Sequence, residues 1–563
     1  MVALVVTLTA AAVSAPSTNS LGAPTAADQK SSPLRVTLDG DSLDWPTLTR
    51  VLHADSVSIK LSENARTTMA KTRQGALDTV DGGQRVYGWN QALGPLKDKP
   101  LTADEQQEFQ RRVLRSHAAG TGGALPPRIA RLALVLRANS MARGAMGVRP
   151  GLVERMLSLV NASVIPKMPE IGSLGTGDLQ PMAAAGLSLI GEDNEVTYRG
   201  KTASARTALR AAGLPEHFTL ASGEALPLVS GSSVLTARYI DAVDRTERQV
   251  GVLQGAFALF LEATRAEQGA FDPRTHDERR IPEETEAARQ IRALVCGTGW
   301  MTDQGRKQAG ETAPRVQDST SVRAAPHIVG ALLQTLTKAR KTTVREANAS
   351  TSNPLLFAKP GGGYEFVMGG NWDAALIGHE IDTLNAQVAD AGVLSQEFSG
   401  RLLDPKWSHG LPANLAGGPV GLNSGMVQVQ TVAAALVPEM QVAATPAGTL
   451  SRPVKGGQED HNTMAMASMR NLTENLDRLD TVLGVQLVMG AQGLDLMRQK
   501  MAGLPVGSGT QAIHAVVRQH IPALGDDRHM SPDVEKATSL VHGQTISDTV
   551  DTALASTPDK CPA

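Results

Sequence analysis

Apolar residues recur at a spacing near 3.6 along most of the chain, which is the pattern of helices with a buried face. Ahead of residue 170 this spacing predicts helices at Ala103 to Ala119, Pro127 to Arg143 and Gly151 to Ala162. Further helices are predicted at 202–212, 233–268, 284–294, 325–340, 374–398, 424–445 and 461–500. Several carry apolar stripes on more than one face, as helices in a bundle do. The predicted fold is therefore mainly α, a bundle of long helices with a small mixed N-terminal part.

The N-terminal part mixes helix with short extended segments. Arg35 to Asp39 alternates in the manner of a strand, and Asp44-Trp45-Pro46 carries the start signal of a helix. Gln84 to Asn90 is predicted as a strand-like segment that runs into a loop. We expect a leader or linker, an N-terminal part with a glycine-rich loop, a central long-helix bundle and a C-terminal helical tail, at residues 1–33, 34–230, 231–506 and 507–563.

The composition is that of an ordinary globular protein: 41% of the 563 residues are hydrophobic, 20% are charged and the net charge is −2. This balance gives no reason to expect a nucleic-acid or membrane partner. The cysteines, Cys296 and Cys561, lie far apart in sequence and predict neither a disulfide framework nor a metal cluster. The twelve histidines form no His-x-x-x-His pair, so no metal site is predicted.

Val2 to Val13 is a short apolar run followed by Ser14-Ala15, about as long as the core of a signal peptide. It lacks a preceding basic segment, and Pro16 is unfavourable after the obvious cleavage point. The run is too short to span a bilayer. We expect a disordered leader and a cytoplasmic protein, with secretion as the alternative.

Pro169 to Pro181 is the most unusual stretch of the sequence, because Gly172, Gly175 and Gly177 fall within six residues and Asp178 follows. Glycine allows positive φ and close backbone approach, so the stretch is a loop of special geometry. An apolar, alanine-rich segment follows it, as at the start of a buried helix. Such a loop directs backbone N–H groups at one point and suits an anion or oxyanion; a plain turn is the alternative.

This stretch resembles the signature loop of the histidine and aromatic amino-acid ammonia-lyases, Gly-Ser-Val-Gly-Ala-Ser-Gly-Asp-Leu-Ala-Pro-Leu, and the resemblance extends over roughly Leu34 to Lys500. In that family Ala-Ser-Gly cyclises into an electrophilic methylidene-imidazolone (MIO). The resemblance implies a mainly helical homotetramer whose active sites combine residues of several chains. Here the loop is one residue shorter, and Gly175-Thr176-Gly177 stands where Ala-Ser-Gly is expected.

Three further positions resemble family residues that act on the substrate side chain. Tyr87, in Val-Tyr-Gly-Trp-Asn, matches the tyrosine that removes the β-proton, a role for which a phenol needs nearby positive charge or hydrogen bonds. His117 follows a serine, as in histidine-selective members, and Glu459, in Gln-Glu-Asp-His, matches the acid that faces the imidazole. From the residues alone, a core tyrosine, a structural histidine and a helix-capping acid are the alternatives.

Arg323 ends the segment Val-Gln-Asp-Ser-Thr-Ser-Val-Arg, which resembles the family segment whose arginine clamps the substrate carboxylate; a surface ion pair is the alternative. Asn353, in Ser-Asn-Pro-Leu, carries over as a partner of the carboxylate or backbone. Two other family positions differ: Ser230 replaces the asparagine that hydrogen-bonds MIO, and Thr320 replaces a second tyrosine. The differences surround the electrophile, whereas the substrate-facing residues are kept.

MIO makes an amino group a better leaving group, whereas trimethylamine leaves without prior covalent activation. Ergothionase is the family relative that lacks MIO and acts on such a betaine. Trp89 and Trp372-Asp373 stand where the family has a smaller aliphatic residue and Phe-His. Indole faces attract quaternary ammonium by about 0.5–2 kcal/mol, and a carboxylate adds to that. Packing of both tryptophans against the core is the alternative.

We therefore expect a carbon–nitrogen lyase that performs α,β-elimination, without MIO, on a histidine-like amino acid or its trimethylammonium betaine. Its candidate residues are, as catalytic groups, Tyr87, Glu459 and Thr176 and, as substrate contacts, His117, Arg323, Asn353, Trp89, Trp372 and Asp373. One alternative is a histidine ammonia-lyase with a modified MIO formed from Gly175-Thr176-Gly177. Another is a non-catalytic helical relative.

Overall fold

The chain folds mainly into helices; the computed structural model describes residues 32–192, 194–313, 315–557 and 561, so the predicted leader lies almost wholly outside it. The helices are α1 (Trp45–His53), α2 (Glu63–Asp81), α3 (Ala103–His117), α4 (Pro127–Ala142), α5 (Pro150–Asn161), α6 (Leu179–Ile190), α7 (Ala205–Ala211), α8 (Ala225–Val229), α9 (Ser233–Thr264), α10 (Pro273–Arg279), α11 (Pro282–Leu294), α12 (Asp303–Gln308), α13 (Thr320–Ala347), α14 (Ala375–Leu403), α15 (Val427–Ala443), α16 (Ala465–Arg498), α17 (Ser508–His520), α18 (Ser531–His542) and α19 (Thr545–Ser556). Short 3-10 segments are Gly94–Leu96, Gln268–Phe271, Ala413–Leu415 and Lys455–Gly457. The prediction of a mainly α fold built on long helices is confirmed.

Small sheets lie at the edges of the bundle. The strands are β1 (Leu34–Leu38), β2 (Val57–Leu61), β3 (Thr121–Ala124), β4 (Val164–Pro166), β5 (Pro169–Ile171), β6 (Glu195–Tyr198), β7 (Lys201–Ser204), β8 (Leu355–Ala358) and β9 (Tyr364–Val367). β1 and β2 pair in parallel, and β3 with β5, β4 with β6 and β7, and β8 with β9 pair antiparallel. β5 matters most for the site, because it leads directly into the signature loop.

The core of the bundle is formed around α16, which packs against α9, α14, α15 and α18. Every residue from Val482 to Leu494 is buried, so this part of α16 is surrounded by helices on all sides. Gly490 allows one of these contacts, because a Cβ there would stand 2.9 Å from the Cβ of Leu259 on α9. Among the described residues, no helix is both long and apolar enough to cross a membrane.

Two local predictions in the N-terminal part are wrong. The helix α2 was not predicted, because it buries few apolar side chains and its sequence is largely polar; its start is fixed by Ser62, whose side chain accepts from the backbone N–H of Ala65 at 3.1 Å. Gln84 to Asn90 forms a turn with an isolated bridge between Tyr87 and Gln91 instead of a strand. The turn brings Tyr87 to the surface of a cavity described below.

The two cysteines are joined by a disulfide, so the expectation that they stay unpaired is wrong. The bond links Cys296, just after α11, to Cys561 near the C-terminus across 265 residues of sequence, a separation that concealed the pairing. A crosslink of this span stabilises a fold by up to about 5 kcal/mol in the chain-entropy account, chiefly by restricting the unfolded chain. The bundle is therefore held by burial and by one covalent tie.

Candidate active site

Four helices begin around one cavity at one end of the bundle. Thr176 lies just before α6, Ser230 before α9, Trp372 before α14 and His461 before α16, and all four line the cavity. α3 ends on the same wall at His117. Helix N-termini carry partial positive charge on their free N–H groups, so their meeting favours negative charge in the cavity. A substrate carboxylate suits this place.

The carboxylate of Asp178 fixes the end of the signature loop. It is fully buried and accepts hydrogen bonds from the backbone N–H groups of Val234 (2.7 Å) and Leu235 (3.1 Å) in the first turn of α9, and from Ser173 Oγ (2.9 Å). Burial raises the pKa of Asp178 to about 6, while these hydrogen bonds and the charge of Arg137 act in the opposite direction. The loop is thus tied directly to the start of α9.

The middle of the loop is packed against the start of α16. Gly175 has φ +90°, and a Cβ there would stand 2.6 Å from Thr463 Oγ1 and 2.8 Å from the Cβ of Ala465. Only glycine fits both the backbone conformation and the space at this position. A hydrogen bond of 3.3 Å from Thr463 Oγ1 to the carbonyl of Leu174 adds a second link between the two segments.

Thr176 occupies the position of the reactive residue in the family loop. It is 6% exposed and lines the cavity, and its hydroxyl is 2.6 Å from Oδ1 of the fully buried Asn462. Its backbone forms an isolated bridge with Asp373, and the neighbouring carbonyl of Gly175 accepts from the backbone N–H of Ala374 at 3.2 Å. The loop therefore lies in extended pairing with the segment that precedes α14.

The cavity has a volume of about 690 Å³ and collects side chains from distant parts of the sequence. The predicted site residues on its wall are Tyr87, His117, Thr176, Asn353, Trp372 and Glu459. Asn353 Oδ1 accepts from the backbone N–H of Gly369 at 2.8 Å, which leaves its amide N–H groups for another acceptor. The arrangement combines a phenol, an imidazole, a carboxylate and an indole in one space.

Tyr87 Oη accepts a hydrogen bond from the backbone N–H of Gly94 at 2.8 Å. Burial raises the pKa of Tyr87 above its ordinary value of 10.0; the Gly94 hydrogen bond lowers it, and the negative charge of Glu459 raises it further. Within one chain the phenol is therefore protonated at neutral pH. The positive charge that would ease its ionisation must come from elsewhere, and the helix N-termini supply part of it.

His117 is held as a neutral ring. Its Nδ1 lies 2.9 Å from the carbonyl oxygen of Val113, and since a carbonyl only accepts, Nδ1 carries the proton and Nε2 is left as an acceptor. Burial lowers the pKa of His117 below 6.5, and the charge of Lys455 lowers it further, against the Val113 hydrogen bond and Glu459. The carboxylate of Glu459 accepts from Lys455 Nζ at 2.6 Å. His117 and Glu459 therefore both offer acceptors.

Two of the predicted ammonium contacts are wrong. Trp89 is 1% exposed and packs in the core against Phe366, with the guanidinium of Arg73 4.9 Å from its ring centre. Its indole occupies the space beside Gly223, where a Cβ would stand 2.0 Å from the ring. The carboxylate of Asp373 is turned towards α14 and accepts from the backbone N–H of Ala375 at 2.8 Å. Trp372 alone of the three lines the cavity.

Arg323 lies in a different cleft of the same chain, with His276 and His327 on its walls. Its Nε donates to the carbonyl of Asp318 at 2.8 Å, at the start of α13. The guanidinium is exposed, and Val316 beside it is 93% exposed, unusual for an apolar side chain. Within a single chain, then, the predicted carboxylate clamp and Tyr87 belong to separate clefts.

Lys455 and Asn462 are site residues that the sequence did not single out. Lys455 pairs with Glu459 on the cavity wall but lies in a glycine-rich loop, where the four-residue spacing carries no helical meaning. Asn462 is joined to Thr176 across 286 residues, so no local pattern links the two. Both signals become visible only when the chain is folded.

One group of side chains outside the cavity is close enough to hold a metal ion: Asp477, Asp480 and His542. Arg245 already donates to both carboxylates, at 2.6 Å to Asp477 and 2.5 Å to Asp480, and His542 Nδ1 lies 2.8 Å from Asp480. A buried arginine supplies the positive charge that an ion would bring. The group is an ion-pair network between α9, α16 and α18.

The fold and the cavity define a carbon–nitrogen lyase, and comparison with known proteins gives its family. The family described as "Aromatic amino acid lyase" matches residues 43–519. Histidine ammonia-lyase of Idiomarina loihiensis is 34% identical over 494 residues, covering 88% of this chain and 94% of that protein. The histidine ammonia-lyase of Geobacillus thermodenitrificans is 32% identical over 515 residues, covering 91% and 98%. The chain belongs to the histidine and aromatic amino-acid ammonia-lyase family.

Solved structures agree with this assignment. Histidine ammonia-lyase from Trypanosoma cruzi superposes with a TM-score of 0.81 at 29% identity, covering 92% of this chain and 96% of that one. Ergothionase from Treponema denticola, in complex with desmethyl-ergothioneine sulfonic acid, superposes with a TM-score of 0.85 at 22% identity, covering 91% and 99%. At that identity the second likeness shows the fold alone.

If Tyr87 is the base, the pH dependence of the reaction reports its ionisation. Because burial raises the pKa of Tyr87 above 10.0, the phenolate fraction grows about tenfold per pH unit below that value. We expect kcat/KM to rise with that slope from pH 7 to pH 9, and Tyr87→Phe to lower kcat by about 10²–10⁴. Tyr198→Phe, at a half-buried tyrosine outside the cavity, is the matched control. A flat profile, or equal losses in both variants, contradicts the assignment.

Proposed function

We propose that this lyase eliminates trimethylamine from the betaine of a histidine-like amino acid. Tyr87 takes the β-proton, the C–H electron pair forms the Cα–Cβ double bond, and the Cα–N bond breaks as the amine leaves. Atoms and electrons balance without an oxidant or a second substrate, and the product is a conjugated acrylate. The observation that carries the proposal is the intact Thr176 hydroxyl, hydrogen-bonded to Asn462 in the cavity that holds Tyr87.

The signature loop supports elimination without MIO. Closure of the imidazolone ring requires the amide nitrogen of Gly177 to reach the carbonyl carbon of Gly175. That carbonyl accepts a hydrogen bond from Ala374, and Thr176 is paired with Asp373, so the loop is held in an extended form. Together with the missing residue and the loss of the family asparagine at Ser230, these contacts do not fit the group.

The ring end of the cavity supports a particular class of betaine. His117 Nε2 and the Glu459 carboxylate both accept hydrogen bonds, so they suit a ring with two N–H groups. An imidazole-2-thione, as in ergothioneine, has two, whereas a neutral imidazole has one. Ergothionase of Treponema denticola shares the fold of this chain. We therefore place ergothioneine ahead of hercynine, the corresponding betaine without sulfur.

The runner-up is an ordinary histidine ammonia-lyase, favoured by the relatives at 34% and 32% identity. It requires an electrophile made from Gly175-Thr176-Gly177 and a substrate with a primary amine. The ring end would serve it, since a protonated imidazole also has two N–H groups. The leaving group is therefore the point on which the two functions differ.

The compartment also bears on function. Disulfides persist in oxidising compartments and are rare in the cytosol. The bond between Cys296 and Cys561 therefore supports the secreted alternative over the cytoplasmic one.

Arg323 can serve as the carboxylate clamp only if it reaches the cavity of another copy of the chain. Its exposed guanidinium, beside the exposed Val316, suits a position at a contact between copies. A homotetramer with shared sites, which the family resemblance implies, would bring it there. We propose this arrangement for the assembled protein.

Mixing two inactive variants tests the shared site. Tyr87→Phe and Arg323→Gln, refolded or co-expressed together, should regain about a quarter of wild-type activity, since a site then draws each residue from a randomly chosen chain. Each variant alone is the control. Absence of any regain in mixed oligomers places both residues in one chain's site and contradicts the arrangement.

Turnover of defined substrates tests the proposed function. We expect purified protein to convert ergothioneine, and more slowly hercynine, with growth of the acrylate absorbance and release of trimethylamine. Histidine should remain unchanged, because its amine leaves poorly without an electrophile. Tyr87→Phe should abolish turnover of both betaines. Turnover of histidine alone would restore the ammonia-lyase alternative.

A further inference from the structure

The side-chain amide of Asn462 has a fixed orientation. Its Nδ2 donates to the carbonyl oxygens of Arg452 at 2.7 Å and Glu459 at 3.4 Å, and its backbone N–H donates to Ser451 Oγ at 2.9 Å. A carbonyl oxygen only accepts, so the NH2 end of the amide must face these two partners. Oδ1 therefore points the other way, towards Thr176.

This orientation also fixes the hydroxyl of Thr176. Oδ1 of Asn462 has no proton, so across the 2.6 Å contact the threonine must be the donor. The hydroxyl proton is thereby committed to a fully buried partner, whereas Thr176 itself lines the cavity. What Thr176 Oγ1 retains for a ligand is lone pairs. It acts as an acceptor only.

The neighbouring wall has a matching character. Thr176 pairs with Asp373, which places it beside Trp372, and the Trp372 side chain lines the same cavity. An indole face and a lone-pair oxygen both attract positive charge. A trimethylammonium group has no N–H to satisfy and is well served by such surfaces. A primary ammonium has three N–H groups and needs more acceptors than one hydroxyl oxygen.

We propose that Asn462 is a positioning residue that holds Thr176 as an acceptor and, with Trp372, makes this end of the cavity selective for quaternary ammonium. The inference rests on the proposed function and adds a means of selecting the leaving group. It assigns the ring end to His117 and Glu459 and the ammonium end to Thr176 and Trp372. The two ends can therefore be probed separately.

Binding of two small probes to the purified protein tests this assignment without turnover. Tetramethylammonium reports the ammonium end and imidazole reports the ring end, each by calorimetric titration. Thr176→Val, which keeps the branched shape without the hydroxyl, and Asn462→Leu should each weaken tetramethylammonium binding about three- to tenfold. Imidazole binding should stay within about twofold, and Thr176→Ser should restore tetramethylammonium binding to near the wild-type value.

The double variant sharpens the result. Because Asn462 acts through Thr176, the pair should weaken tetramethylammonium binding no more than either change alone. Thermal unfolding shows whether each variant is folded, and Thr176→Val keeps the test open if Asn462→Leu is not. Equal weakening of both probes, or unchanged tetramethylammonium binding in Thr176→Val, overturns the inference. If wild-type protein binds tetramethylammonium as described yet converts no betaine, the proposed function fails and the selectivity stands.

Discussion

The carboxylate of Asp178 holds the signature loop against the first turn of α9. It accepts from two backbone N–H groups at a helix start, where partial positive charge favours an anion, and from the hydroxyl of Ser173. Without these donors a carboxylate in this interior would be costly to bury. Because the loop is fixed at this point, Thr176 has one position relative to the starts of α14 and α16. The rest of the site is built around that position.

The site has two ends with different demands. At the ring end, burial keeps His117 neutral and Glu459 is paired with Lys455, so the wall presents acceptors of defined position. At the other end, the family electrophile is replaced by a threonine whose proton is directed into the protein. Tyr87 lies in the same cavity and has a raised pKa, which makes its ionisation the demanding step. A substrate that brings its own good leaving group reduces what the protein must supply.

Much of this could be predicted from the sequence. The helical bundle follows from apolar spacing, and Tyr87, His117 and Glu459 were found because each lies in a short local motif. Trp89 was assigned wrongly because neighbouring residues in a tight turn face opposite ways, and the motif does not say which one faces the cavity. Arg323 was recognised as a clamp, but one chain places it in another cleft. The division of the chain into four parts remains a prediction.

What the sequence could not provide are contacts between distant residues. The disulfide spans 265 residues and the Thr176–Asn462 hydrogen bond spans 286, and neither partner has a local signal that points to the other. The helix α2 was missed for a different reason, since its buried face carries too few large apolar side chains to give a clear period.

The central claim is that the signature loop works unmodified. The most direct measurement is the mass of a proteolytic peptide that spans residues 169–182, taken from active protein. We predict the mass of the unaltered sequence, with Thr176 intact. A peptide lighter by two water molecules would show the cyclised group and contradict the account.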